Sequence, residues 1–195
     1  MMHARMRPAD NPFSARRIDA IPYRMPEEAW AQLCARLEAL RFCGAITGPH
    51  GAGKTTLLER IAAHLRSRGL AVAHGFLNSD NRRGALSQVR NQLLACGPDT
   101  IFLLDGAEQL GPLSWRYVKW RTRKFRGFIV TCHAPGRLPE VYRCETSAPL
   151  LDALLKELAP ECDASVRNLA HQTLLRRKGN LREVFFELYD YHAAR

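Results

Sequence analysis

The chain has 195 residues and a formal net charge of +10, with 46% hydrophobic and 25% charged residues. That length supports one well-buried core with a small appendage at most. The balance is that of a soluble globular protein, and no apolar run is long enough for a transmembrane helix. The excess of base comes from arginine, which outnumbers lysine 24 to 5. Such a bias raises basicity without implying a ligand, so the distribution of charge says more than its total. Between Glu108 and Glu140 there is no acid, yet Arg116, Lys119, Arg121, Arg123, Lys124, Arg126 and Arg137 all fall there. That local field would attract polyanions. The cysteines at 34, 43, 96, 132, 144 and 162 form no C-x-x-C pair. They read as reduced thiols of a cytoplasmic protein rather than a disulfide or zinc framework.

Residues 1–25 read as an irregular basic leader; they lack the apolar segment of a secretory signal, and a transit peptide is the weaker alternative. Pro26 opens a helix with Glu27 and Glu28 in its first turn and Trp30, Leu33, Cys34, Leu37 and Leu40 along one face. Residues 42–47 form a short buried strand, and 56–65 a helix with Leu57, Leu58, Ile61 and Leu65 on one side. A second strand is expected over 70–77 and a helix over 84–96. The apolar run 100–104 ending in Asp105 has the pattern of a central parallel strand. Ser114 is expected to cap a helix reaching about Phe125, followed by a strand over 127–132 and a weaker edge strand over 142–146. Strands alternating with helices predict an α/β fold: a parallel sheet covered by helices on both faces, spanning residues 26–148. From 149 to 195 only helices are expected, a small C-terminal lid, with Asp163 and Asn180 as N-caps and Gly179 ending the middle helix.

Between the first strand and its helix lies Gly48-Pro49-His50-Gly51-Ala52-Gly53-Lys54-Thr55, which fits the phosphate-cradling pattern G-x-x-x-x-G-K-[ST] without a mismatch. Glycines there let successive backbone N–H groups turn toward phosphates, and the helix N-terminus adds partial positive charge. Lys54 can reach the β- and γ-phosphates, Thr55 can ligate Mg²⁺, and Thr56 follows within the same turn. A nucleoside triphosphate, ATP with Mg²⁺, is the expected ligand. The segment Ile101-Phe102-Leu103-Leu104-Asp105 has the form of a Walker B strand, delivering Asp105 to hold Mg²⁺ opposite Thr55.

At these motifs the chain resembles the AAA+ ATPases of the additional-strand class of P-loop NTPases. The resemblance implies a Glu directly after the Walker B Asp, to orient the attacking water. Here that position is Gly106, and the nearest acid is Glu108. Two readings of Glu108 stand: an acid that reaches back to the site, or an exposed helix-start residue. The resemblance also implies a polar sensor at the tip of strand 127–132, where Thr131 and His133 qualify, and a second sensor, Arg182, in the first turn of a lid helix. An arginine in that turn is mildly disfavoured by the helix dipole unless an anion faces it. A finger arginine acting in trans has only Arg137 and Arg143 as candidates.

The segment 114–126 carries a second constellation. On a 3.6-residue period Trp115, Val118 and Phe125 share a face that can pack on the sheet. Arg116, Lys119, Arg123 and Arg126 fall in an adjacent stripe, with Trp120 beside it. A cationic stripe with an aromatic suits DNA or RNA; a solvated face, a phosphorylated substrate or an acidic partner subunit are the competing readings. Three functions follow: an AAA+-like ATPase acting on an assembly or a nucleic acid, a small-molecule or nucleotide kinase with Asp80, Arg82 and Arg83 near its acceptor, or an ATP-binding switch with little turnover. Strand order separates the first two. In the additional-strand class a strand lies between the phosphate-loop strand and the Walker B strand; in kinases those two are neighbours.

Overall fold

A computed structural model of the chain describes residues 11–78 and 84–194. The first ten residues of the expected leader, and Asp80, Arg82 and Arg83, lie outside them. The chain separates into two compact units.

The first unit comprises residues 23–48 and 54–144. Its elements are α2 (Glu27–Ala39), β1 (Cys43–Thr47), α3 (Lys54–Ser67), β2 (Ala71–Phe76), α4 (Ala85–Leu94), β3 (Thr100–Asp105), α5 (Pro112–Thr122), β4 (Gly127–Cys132) and β5 (Glu140–Arg143), after α1 (Ala15–Asp19) of the second unit. The strands form one parallel sheet in the order β2-β3-β4-β1-β5. Burial explains the composition of each strand. Ile101, Phe102, Leu103 and Leu104 of central β3 are fully buried, as are Ile129 and Val130 of β4, because helices cover both faces. Edge strand β2 is largely half-buried or exposed and is correspondingly mixed in sequence. Leu57, Leu58, Ile61 and Leu65 form the buried face of α3.

Three boundaries differ from those the sequence suggests. Helix α5 starts at Pro112 behind Gly111, since proline is well suited to the first helical position, and it ends at Thr122 rather than Phe125. There the Thr122 hydroxyl donates back to Val118 O at 3.0 Å, and Phe125 turns in toward Phe102. Arg123 is the C-cap and Arg126 lies beyond the helix, so the basic stripe is one turn shorter than expected. Strand β5 starts two residues earlier than anticipated, at Glu140, and its pairing with β1 shifts register between Ala45 and Ile46.

The second unit comprises residues 11–22, 49–53 and 145–194. Helices α6 (Ala148–Leu158), α7 (Ala164–Arg176) and α8 (Leu181–Ala193) pack around Leu151, Leu155, Ala170, Val184 and Leu188. Ser147, Asp163 and Asn180 cap them, each side chain accepting from a backbone N–H three residues on. Residues 11–22 are not irregular. Phe13 is buried in this helical core, stacked on Phe185 with centroids 6.3 Å apart, and Asn11 Nδ2 donates to Tyr189 O at 3.0 Å before α1. The sequence signal was Phe13, Ile18 and Ile21, an apolar spacing masked by the surrounding arginines.

Candidate nucleotide site

β1 and β3 deliver their C-terminal ends to the same edge of the sheet, with β4 between them. At that edge Thr55 Oγ1 donates to Asp105 Oδ2 at 2.7 Å. Asp105 is 4% exposed, and its other oxygen accepts from the Thr131 hydroxyl, which in turn accepts from Gly106 N–H at 2.8 Å. Both carboxylate oxygens are therefore held, one by a β4 residue and one by the first turn of α3. Thr131 is 1% exposed and braces the end of β3, rather than presenting its hydroxyl at the strand tip.

Lys54 Nζ donates to Gly48 O at 2.8 Å and lies 3.3 Å from His133 Nδ1. His133 Nε2 in turn sits 2.9 Å from Glu108 Oε1. A ring nitrogen facing an ammonium is the acceptor, and Nε2 approaches Glu108 as a close polar contact rather than a hydrogen bond. Burial pushes the Lys54 ammonium below its usual range, and the Glu108 carboxylate opposes that shift. Glu108 Oε2 is buried and accepts no hydrogen bond from a described residue. Glu108 lies in the short 3₁₀ turn Ala107–Gln109, where it is half-buried and close enough to act on the Lys54 ammonium. Position 106 could not do this. Gly106 has φ +79°, and a Cβ there would lie 2.2 Å from Leu77 O.

The glycines of the phosphate loop have individual reasons. Gly48, Gly51 and Gly53 all adopt positive φ. A Cβ on Gly48 would lie 2.5 Å from Cys144 O. Within the helical unit, a Cβ on Gly51 would lie 1.9 Å from Asn180 Oδ1, the cap of α8, and 3.1 Å from the Arg182 backbone nitrogen. Pro49, His50, Ala52 and Gly53 complete the loop, and Lys54, Thr55 and Thr56 open α3. Arg182 is exposed in the first turn of α8. Sequence reasoning missed the Gly51–Asn180 packing and the Glu108–His133–Lys54 line, which join residues far apart along the chain.

The donor set fits Mg²⁺. A hydroxyl and one buried carboxylate are what this ion takes from protein when phosphates and waters complete its shell. Among the described residues no cluster of three His, Cys, Asp or Glu side chains forms a protein-only cage. All six cysteines are free thiols. Burial pushes the Cys132 and Cys144 thiols up to about 11.

The basic helix is anchored by its inner face: Trp115 stacks on Phe128 at 5.8 Å, and Val118 is fully buried. Arg116, Lys119, Arg123 and Arg126 are exposed, and Trp120 is 58% exposed. Arg137 donates to Leu110 O at 2.7 Å and lies over the Trp115 ring, bracing α5.

A family model described as NTPase matches residues 43–93, which hold the phosphate loop and α3. No curated protein sequence matches the chain significantly. Among solved structures, AMPPCP-bound DnaA from Aquifex aeolicus is similar, with a TM-score of 0.55 and 19% identity over 83% of this chain. A replication initiator DnaA bound to AMPPCP and single-stranded DNA gives 0.57 and 18% over 83%. A DNA replication initiation factor gives 0.54 and 18% over 85%. The chain has the fold of a P-loop NTPase and resembles the AAA+ class. It spans 61%, 59% and 61% of those three chains, about three-fifths of each. The strand between β1 and β3 is that of the additional-strand class and argues against the kinase alternative. No helix among the described residues is long and apolar enough to cross a membrane.

Proposed function

We propose that the chain is an AAA+-like ATPase that binds ATP with Mg²⁺ and couples its hydrolysis to a nucleic-acid partner. The observation that carries this reading is the Thr55–Asp105 hydrogen bond at 2.7 Å, which joins the loop-side hydroxyl to the Walker B carboxylate. The loop backbone and Lys54 bind the phosphates, and Thr55 and Asp105 hold Mg²⁺, which neutralises phosphate charge when bound. Glu108 orients the attacking water and takes its proton, with His133 fixing its carboxylate. Thr131 holds Asp105 in place. Arg182 serves as a second phosphate sensor. A nucleic-acid partner is favoured by the acid-free basic segment 109–139, and one structure of similar fold holds single-stranded DNA. Assembly with further copies or a partner protein belongs to this reading, as a source for a transition-state arginine. Six free thiols suit a reducing cytoplasm. An ATP-binding switch is the second reading, favoured by Gly106 where the AAA+ carboxylate is expected.

Lys54→Ala and Asp105→Asn test the nucleotide site. Titration with a fluorescent ATP analogue should show binding lost in the first and Mg²⁺-dependence lost in the second, with thermal melting unchanged for Lys54→Ala. Wild-type affinity in Lys54→Ala would overturn the site. ATP turnover at saturating Mg²⁺ separates the ATPase from the switch.

A further inference from the structure

The outward face of α5 is built of residues that the basic stripe alone does not explain. At 3.6 residues per turn, Leu113, Tyr117 and Trp120 follow one another along a single line with Arg116 beside it, and Arg123 and Lys124 lie in the turn that ends the helix. Leu113 is 82% exposed and Trp120 58%, two of the most exposed large apolar side chains described. The Trp120 ring adjoins that of Tyr117, with centroids 6.2 Å apart; Tyr117 is half-buried against the sheet core, so Trp120 is the ring presented outward. Arg116, Arg123 and Lys124 are exposed, and none is ion-paired to a described residue. The inner face of the same helix is fixed by Trp115 and Val118, so the outer face is presented on a rigid support.

A solvated helix face would carry charge without two adjacent rings and a protruding leucine. An apolar protein contact would bury the rings but repel this density of unpaired cations, unless the partner were acidic. Rings interleaved with cations match one chemistry closely: unpaired bases that stack, on a backbone that carries a phosphate at each step. A duplex hides its base faces and would leave Tyr117 and Trp120 unused. The helix is about 16 Å long, enough to follow a few nucleotides.

We propose that the outer face of α5 and the turn that ends it bind single-stranded DNA, with a base stacked on Trp120 beside Tyr117 and phosphates on Arg116, Arg123 and Lys124. This deepens the nucleic-acid reading above and rests on it for the choice of DNA. The test is fluorescence anisotropy of the full chain with labelled oligothymidylate, oligouridylate and a duplex, each across a salt series. Oligothymidylate should bind more tightly than the duplex and at least as tightly as oligouridylate. Trp120→Ala should weaken oligothymidylate binding by about 5- to 100-fold while leaving the salt slope unchanged. Trp120→Phe should restore most of the loss, which excludes a folding defect. Arg116→Ala with Arg123→Ala should instead reduce the log–log salt slope by about 1.4, roughly 0.7 per phosphate contact on a single strand. Three results would overturn the proposal: equal or tighter duplex binding, wild-type affinity in Trp120→Ala, or preferential binding of polyglutamate or a second copy of the chain. The two readings fail separately. DNA binding without any effect on ATP turnover would remove the coupling and keep the face, whereas turnover without DNA binding would remove the face and keep the ATPase.

Discussion

Glu108→Gln is the perturbation that most directly examines the chemistry. Glu108 Oε1 lies 2.9 Å from His133 Nε2, and Oε2 is buried with no hydrogen-bond partner among the described residues. In the proposed mechanism that second oxygen takes the proton from the attacking water. Glutamine preserves volume and can keep one contact with His133 but cannot accept the proton. Loss of a general base costs about 10²- to 10⁴-fold in rate, or roughly 2.7 to 5.5 kcal/mol of barrier at 1.36 kcal/mol per decade. Stability should change little, because the Glu108–His133 pair is partly exposed, at 25% and 29%, and solvent screens it. Affinity for ATP should also hold, since Lys54 keeps its bond to Gly48 O.

The assay is single-turnover hydrolysis at saturating ATP and Mg²⁺, alongside an equilibrium titration of a nucleotide analogue. A companion variant, Gly106→Glu combined with Glu108→Gln, moves the acid to the position the AAA+ class uses. It should not restore turnover. A Cβ at 106 meets Leu77 O at 2.2 Å, and the φ of +79° disfavours any side chain. Wild-type turnover in Glu108→Gln, or rescue by the companion variant, would refute the assignment of Glu108.

Two further outcomes are expected. Arg182→Ala should lower ATP affinity or turnover without shifting the melting temperature, since the side chain is exposed in the first turn of α8; an unchanged ATP titration would return Arg182 to the solvated surface. Alkaline stability should fall between pH 9 and about 11, because burial raises the Cys132 and Cys144 thiols from 9.0 to about 11. In that window the unfolded chain releases protons that the folded chain retains, so stability declines as pH rises, by about 2 to 3 kcal/mol per thiol. Burial of Tyr23 acts in the same direction, while the lowered Lys54 acts against it. Urea melts across this range should show the slope, and Cys132→Ala with Cys144→Ala should flatten it.

The parts legible in the sequence were those whose determinants are local. The phosphate loop is contiguous, and β3 and β4 are unbroken apolar runs because both faces are covered. The helices α3, α6 and α8 each show one apolar stripe. Strand order was not legible, because every strand buried on both faces has the same pattern wherever it stands in the sheet. The edge register of β5 was missed for the opposite reason: four residues with one buried member carry too little pattern. The Leu113–Tyr117–Trp120 line was obscured because the arginines around it dominated the reading of charge, and only exposure separates protruding rings from those packed inward.

The geometry also bears on the two readings of Glu108. Asp105 already spends both carboxylate oxygens, one on Thr55 and one on Thr131. The left-handed turn at Gly106 and its N–H bond to Thr131 fix that arrangement, so no side chain at 106 could reach a water without breaking it. The next acid along the chain, Glu108, is met by the next polar side chain of suitable reach beyond Thr131, His133. Two acid–partner pairs therefore stand side by side, Asp105 with Thr131 and Glu108 with His133, each joining the end of β3 to the end of β4. An acid at a solvated helix start would have no reason to be matched in this way, nor would a histidine two residues past Thr131 place its other nitrogen 3.3 Å from the phosphate-loop lysine. The shift of the acid along one strand is answered by a shift of its partner along the neighbour, and that pairing is what supports the proposed role of Glu108.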